Sequence, residues 1–465
     1  MEIWRKNLWL LWLGALVTSA SYFMVIPFLP LFLLHLGVHH HTEMWAGLLF
    51  SVSFFMGALV SPYWGSLADK YGRKPMILRS GFALFAVYIL TAFVTNPYEL
   101  LALRALQGLL AGYIPGAIAL IATNTPEEKV GYALAMMSTA TATGGILGPL
   151  LGGSVARLFN NRIAFGSAGI LVLLSTLLVL WFVTEERFVP AKTRSSVIQD
   201  FKSGISNRTF LAVLVLTLLT SLSIMTIEPV LPLYIAQIGG SLKNASFLAG
   251  IVFSLAGVAS VIFAPRWGRL ADRVGFRRIL LIGLVGGGLG TLLQIPFHSV
   301  VAFSVVRFVY GIFFSAVFPA LNGLVVQTTE SAFRGRAFGI NQTASQLGTM
   351  LGPLIGGYIG GAFSVHSVFW VTGVLLLVTA LGAYRTKGDS ANADPVVATG
   401  DQVVAKADGT KMDEVDATAS NSLPTADSDT PPTSPTPPSS SSAPEAALKG
   451  SVGAPSGSTS RGHQA

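Results

Sequence analysis

Cysteine is absent from this 465-residue chain, and Asp, Glu, Lys and Arg together make up only 11% of it. Without thiols there is neither a disulfide framework nor thiolate chemistry, and the redox compartment leaves no mark. A soluble domain carries roughly 25% charged residues, so this scarcity excludes an ordinary water-exposed surface. No Walker-type phosphate loop occurs, which argues against an ATP-driven pump. Catalytic triads and paired in-membrane carboxylates are also missing, so a hydrolytic membrane enzyme would have no nucleophile and base, and no enzymatic activity is expected. His39, His40 and His41 beside Glu43 are adjacent in a loop and present no fixed tetrahedral set. No metal and no cofactor are expected.

What is present is apolar: 52% of residues are hydrophobic, with 29 Phe and 49 Gly. A membrane span needs about 20 mostly apolar residues. Twelve stretches qualify, at 7–36, 44–64, 76–95, 98–122, 131–156, 163–184, 209–238, 244–265, 278–296, 299–326, 337–361 and 365–384. The first is too long for a removable signal segment and has no small-residue cleavage site, so it reads as a retained span. Residues 1–386 carry a net charge of +13 and residues 387–465 one of −5. On the side of the N-terminus the loops hold 21 Lys and Arg, against Arg157, Arg162 and Lys243 on the other. The positive-inside rule then puts both termini in the cytoplasm. A basic excess of this kind belongs to membrane-flanking loops and does not point to nucleic acid. After Tyr384 the chain is dominated by Ser, Thr, Pro, Ala and Asp, which cannot bury enough apolar surface to order.

The spans repeat. Pro62, Trp64, Gly65, Leu67, Ala68, Asp69, Gly72 and Lys74 fall on Pro265, Trp267, Gly268, Leu270, Ala271, Asp272, Gly275 and Arg277. Arg104 and Gly108 correspond to Arg307 and Gly311, and Leu147-Gly-Pro-Leu150 to Leu351-Gly-Pro-Leu354, at offsets between 202 and 204. Six spans followed by six like them, in the same orientation, form a parallel repeat about an axis along the membrane normal.

Several residues stand out against the apolar background. Arg104 and Gln107 fall within the fourth span. An arginine at membrane depth is costly and is paired or cavity-facing, unless it snorkels to the surface from near a span end. Glu228 is the one carboxylate well inside the apolar layer, where it can exchange a proton or attract a cationic compound. The alternative is a carboxylate satisfied structurally by Tyr234 or nearby hydroxyls. Gly144, Gly148 and Gly152, four residues apart, strip one helix face to backbone, and Pro149 predicts a kink.

Gly65, Leu67, Asp69, Gly72, Arg73 and Lys74 resemble the cytoplasmic loop motif G-x-L-x-D-x-x-G-R-K of the major facilitator superfamily. Residues 103–112 are similar to the arginine-bearing motif of that superfamily's drug:proton antiporters, and Gly144, Gly148, Pro149, Gly152 and Gly153 to their G-x-x-x-G-P-x-x-G-G motif. The resemblance covers residues 1 to about 385 and is strongest to bacterial twelve-span multidrug resistance proteins.

It implies an all-α membrane protein, twelve transmembrane helices in two six-helix pseudo-symmetric halves, with halves at 1–184 and 209–385, a connector at 185–208 and a tail at 386–465. The implied activity is proton-coupled efflux of small hydrophobic or cationic compounds by alternating access, in the plasma (inner) membrane. The expected partners are the lipid bilayer, protons and a small-molecule substrate, with no nucleic acid, and the chain is expected to be monomeric. Gly65, Asp69, Gly72, Arg73 and Lys74, with Gly268, Asp272 and Gly275, would form a conformational latch, weaker in the second copy because Phe276 stands where an arginine should. Proton coupling would fall to Arg104 and Glu228, since the acidic residue often found in the first span of such antiporters is missing. Tyr22, Met24, Gln107 and Tyr234 are candidates for lining the substrate pocket. A metabolite carrier, such as one for a sugar, would use the same scaffold, and a non-transporting sensor or scaffold would use the tail.

Overall fold

The computed structural model describes residues 2–185, 206–240, 242–330 and 333–385. Most of the expected connector and the whole expected tail lie outside these residues. Within them the chain is helical, without a strand. This follows from the solvent: hydrocarbon offers no hydrogen-bond partners, and a helix satisfies its own backbone.

The first half comprises α1 (Ile3–Met24), α2 (Leu29–His35), α3 (Thr42–Tyr71), α4 (Arg73–Ala92), α5 (Pro97–Leu110), α6 (Tyr113–Asn124), α7 (Glu127–Leu158) and α8 (Asn161–Phe182). The second repeats it with α9 (Arg208–Ile227), α10 (Leu231–Gly239), α11 (Leu242–Val274), α12 (Phe276–Leu292), α13 (Val300–Phe314), α14 (Val317–Thr328), α15 (Arg334–Ala362) and α16 (Val365–Arg385). Among the described residues sixteen helices make twelve spans, because the first, fourth, seventh and tenth are each broken once.

Ten of the twelve are long and apolar enough to cross a membrane by themselves. The other two are α12, whose regular helix is 17 residues long, and α15, whose apolar run is diluted by Arg334, Arg336, Asn341, Gln342 and Gln346. Both are held in the bundle by packing, α12 against α16 and α13, and α15 against α9 and α3.

Glycine faces set the helix contacts. A Cβ on Gly144, Gly148 or Gly152 of α7 would overlap the α1 backbone at Leu16, Ala20 or Met24. Gly348, Gly352 and Gly356 of α15 meet α9 at Leu218, Leu222 and Thr226 in the same way. The motif glycines therefore lock the first span to the fifth within one half. Pro149 lies inside α7, which stays helical from Glu127 to Leu158, and its carbonyl faces Gly250 of the other half.

The two halves meet where α7 crosses α11 and α3 crosses α15. Gly153 abuts Ser246 and Phe247, Gly47 abuts Pro353, and Gly357 abuts Glu43. All of these contacts lie toward the ends of the helices remote from the start of α1 and the end of α16. At the opposite ends of α7 and α15, a Cβ on Gly131, Gly335 or Gly339 would meet nothing within 4 Å. The halves are thus held by glycine contacts at one end and parted at the end where α1 starts and α16 finishes.

Each broken span leaves carbonyls without a helical partner. In the fourth, the break falls at Ala111 and Gly112, where Gly112 adopts φ +141°, a conformation open to glycine. Trp64 Nε1 donates to the Leu109 carbonyl at 2.7 Å, Ser80 Oγ to Leu110 at 3.0 Å and Arg79 to Ala111 at 3.2 Å. The Arg79 guanidinium also lies 3.4 Å from the centre of the Trp64 ring. In the second half Trp267 Nε1 donates to Ile312 at 2.7 Å, and Ser315 Oγ reaches the same oxygen. Trp64 of α3 and Trp267 of α11 therefore serve as backbone caps for the broken spans.

Two stability outcomes follow from these contacts. Gly152→Ala drives a methyl into the Met24 carbonyl and should cost about 1–3 kcal/mol, whereas Gly65→Ala points into open space and should not lower the thermal midpoint of purified protein. Trp64→Phe, which leaves the Leu109 carbonyl without that donor, should cost about 1–3 kcal/mol. Trp267→Phe should cost less in the same melting experiment, because Ser315 still donates to Ile312.

Candidate functional site

A cavity of about 510 Å³ lies between the halves and is built mostly by the first. Tyr22 and Phe23 of α1, Ser53 and Phe54 of α3, Tyr88 of α4 and Gln107 of α5 line it, together with the Ala111–Gly112 break and Tyr113. The second half contributes Gln342 and Gln346 of α15. Beside it, Tyr22, Ser53 and Arg104 bound a void of about 10 Å³, room for one water molecule.

The polar wall is held by a chain of hydrogen bonds. Arg104 Nη1 donates to Gln107 Oε1 at 2.8 Å, and Gln107 Nε2 donates to Tyr88 Oη at 3.1 Å. Because arginine only donates, this chain dictates which way the Gln107 amide points. Arg104 is only 6% exposed and lies over Phe165, and its Nε and Nη2 have no hydrogen-bond partner among the described residues. Its head does not reach the surface, so the inward alternative holds over snorkelling. Ser53 Oγ donates to the Arg104 carbonyl at 2.9 Å, and Gly108 lets α3 come close enough for that bond.

The second half carries a related cluster. Arg307, 7% exposed, donates to Gln294 Oε1 at 3.3 Å and sits over the Tyr310 ring, with its Nε unpartnered. Glu228 occupies the position just after the last residue of α9, in the break of the seventh span. It makes no hydrogen bond or ion pair with the described residues. It lies within electrostatic reach of Arg307 and Tyr310 on one side and Tyr22 on the other. One carboxylate therefore stands between two buried arginine clusters, one from each half.

The two loop motifs act within their own halves in this conformation. Arg73 donates to Asp69 at 2.8 Å, and Glu185 accepts from the Arg73 and Lys74 backbone N–H groups at 2.7 and 2.9 Å, capping α4. The Asp69 and Arg73 side chains are 44% and 26% exposed, so their pair contributes below about 1 kcal/mol. Lys74 Nζ caps the end of α8 at the Leu180 carbonyl at 3.0 Å. In the second copy Arg277 does the same for α16, donating to Ala383 and Tyr384. Asp272 is exposed and makes no ion pair with the described residues, while Phe276 turns into the apolar core against Gly323.

Tyr22 and Gln107 thus fall at the cavity, and Met24 and Tyr234 do not. Met24 is fully buried where α1 meets Gly152. Tyr234 is enclosed by Phe303, Phe369 and His366, and its hydroxyl donates to Phe297. Sequence reasoning did not single out Glu185, Arg307, Gln342 or Gln346 as site residues. The offset of 203 from Arg104 was a signal for Arg307, and the one-turn spacing of the two glutamines a weaker one for them. Nothing in the local sequence marks Glu185 as the cap of a helix more than a hundred residues earlier.

A profile of the Major Facilitator Superfamily matches residues 11–260 and 213–407. The chain is 37% identical to the multidrug resistance protein MdtG of Yersinia enterocolitica over 388 residues, covering 82% of this chain and 93% of that one. It is 37% identical to MdtG of Citrobacter koseri over 390 residues, covering 82% and 95%. Among solved structures it is similar to a bacterial homologue of the human lysosomal transporter Spinster in an inward-facing, unoccupied conformation, with TM-score 0.70 and 13% identity over 83% of this chain and 97% of that one. It is also similar to the nucleoside transporter NupG, with TM-score 0.69 and 14% identity over 82% and 100%. At such identities these structures speak for the fold alone. Sequence and fold agree: this chain is a multi-pass membrane protein, a transporter rather than an enzyme, and it belongs to the Major Facilitator Superfamily.

Proposed function

We propose that the protein is a secondary active exporter that moves small hydrophobic or cationic compounds out of the cytoplasm in exchange for protons. The observation that carries this reading is the cavity between the halves, shut by glycine contacts at one end and parted at the other. A site that opens to one side at a time is what alternating access requires. The MdtG relatives, named as multidrug resistance proteins, support a broad cargo range. The bias of 21 Lys and Arg to 3 supports cytoplasmic termini, and hence a cavity that faces the cytoplasm in this conformation. A single chain working in the inner membrane is part of the same proposal.

Glu228 is the proposed proton carrier and Arg104 its partner in coupling. Glu228 has no hydrogen-bond partner among the described residues to hold it in one protonation state, and it lies in a helix break where small rotations change its surroundings. The Asp69 motif is the proposed latch: its aspartate is paired locally here and exposed enough to change partners when the parted end closes.

In energised cells the protein should lower the accumulation of a fluorescent hydrophobic cation. Unchanged retention across several such dyes would overturn drug export and favour a metabolite carrier. Glu228→Gln, which removes the charge at nearly constant shape, should abolish proton-driven export while the melting temperature and membrane yield stay as in the parent. Parent-like dependence of transport on pH in that variant would remove Glu228 from the mechanism. Asp69→Asn should slow turnover several-fold and leave the substrate concentration for half-maximal transport within about twofold, because the pair contributes little stability and touches no cavity residue. An unchanged rate would sink the latch assignment.

A further inference from the structure

The lining of the cavity carries a consequence for cargo. No charged side chain lines it among the described residues. Its polar groups are amides and hydroxyls, and the second half supplies two amides, Gln342 and Gln346, one turn apart on α15. Both are exposed, and neither makes a hydrogen bond with the described residues. Opposite them stands the Gln107 amide, oriented by Arg104 and Tyr88.

We propose that Gln342 and Gln346 are specificity-determining contacts of the second half, and that with Gln107 they select an uncharged cargo bearing hydrogen-bond donors and acceptors, such as amide, sulfonamide or hydroxyl groups. The proposal rests on the export reading above and narrows its substrate class. The reason lies in what happens when the parted end closes. Water now available to the two free amides is expelled, and an amide buried without a partner is penalised. A cargo with complementary groups replaces that water, whereas a purely apolar one leaves both amides unpaired. Sites built to bond a polar group reject analogues that lack it far more strongly than apolar pockets reject an added methylene. The placement also gives the cargo a role in coupling the halves, because it bridges the α5 wall of one to the α15 wall of the other.

The test uses the full chain in proteoliposomes with two probes. Dansylamide is uncharged and carries sulfonamide donors and acceptors; tetraphenylphosphonium is a cation with no hydrogen-bonding group. The double variant Gln342→Leu, Gln346→Leu should reduce dansylamide transport by at least about tenfold, the effect of one lost hydrogen bond. Tetraphenylphosphonium transport, disfavoured in the parent by the two amides, should stay the same or rise and so serve as the control for folding. Equal losses for both probes would make the glutamines merely structural and overturn the proposal. Transport of the cation by the parent protein with none of dansylamide would overturn the proposal and leave export standing. Transport of neither probe would overturn both.

Discussion

A backbone carbonyl released from its helix inside a membrane has no water to turn to, and much of this molecule answers to that constraint. Four of its twelve spans are broken, and at two of the breaks a tryptophan from the duplicated loop motif donates to a freed carbonyl, Trp64 to Leu109 and Trp267 to Ile312. The break at Gly112 is also part of the cavity wall. In the first half the motif therefore reaches the surface through its charged residues and a span that walls the cavity through its tryptophan. There one indole ties α3 to the break beside the cavity.

Glycine plays the complementary part by removing side chains where backbones must touch. Within each half it brings the first span of the repeat onto the fifth, at Gly144, Gly148 and Gly152 and again at Gly348, Gly352 and Gly356. Between halves it seals one end through Gly47, Gly153, Gly250 and Gly357. Contacts of backbone on backbone depend little on side-chain rotamers, so two such surfaces can part and meet again without repacking a core. Each half also buries a cluster of aromatic side chains in its interior, Phe28 with Phe165 in the first and Tyr234 with Phe303 and Phe369 in the second.

The centre of the molecule is electrostatically uneven. Two buried arginines, one from each half, have only glutamine side chains as hydrogen-bond partners, and a single carboxylate, Glu228, lies within reach of one of them and of Tyr22 beside the other. Such unpaired N–H groups are costly in a low-dielectric interior, and a structure retains them where charge must change or move. The cavity beside them is free of charge on its lining, which separates the groups suited to holding a proton from those suited to holding cargo.

The amino-acid sequence by itself determined the helical class, the twelve spans, the repeat and the family, because each depends on residue type at a regular spacing: apolar runs of membrane length, an offset near 203, glycines four apart. It also kept Asp69 and Arg73 within reach of each other, on either side of the Gly72 turn that joins α3 to α4. Only the tertiary structure decided which way a side chain points and which distant element meets it. Met24 and Tyr22 are two residues apart on α1, and the one is buried against Gly152 while the other faces the cavity. Glu185 caps a helix whose start lies more than a hundred residues earlier, and Gln342 and Gln346 come to a wall otherwise built by the first half. The physical reason is the same in each case. Composition and period report on how a segment meets lipid, whereas a site forms where several segments converge, and their relative rotation is settled by packing among all of them.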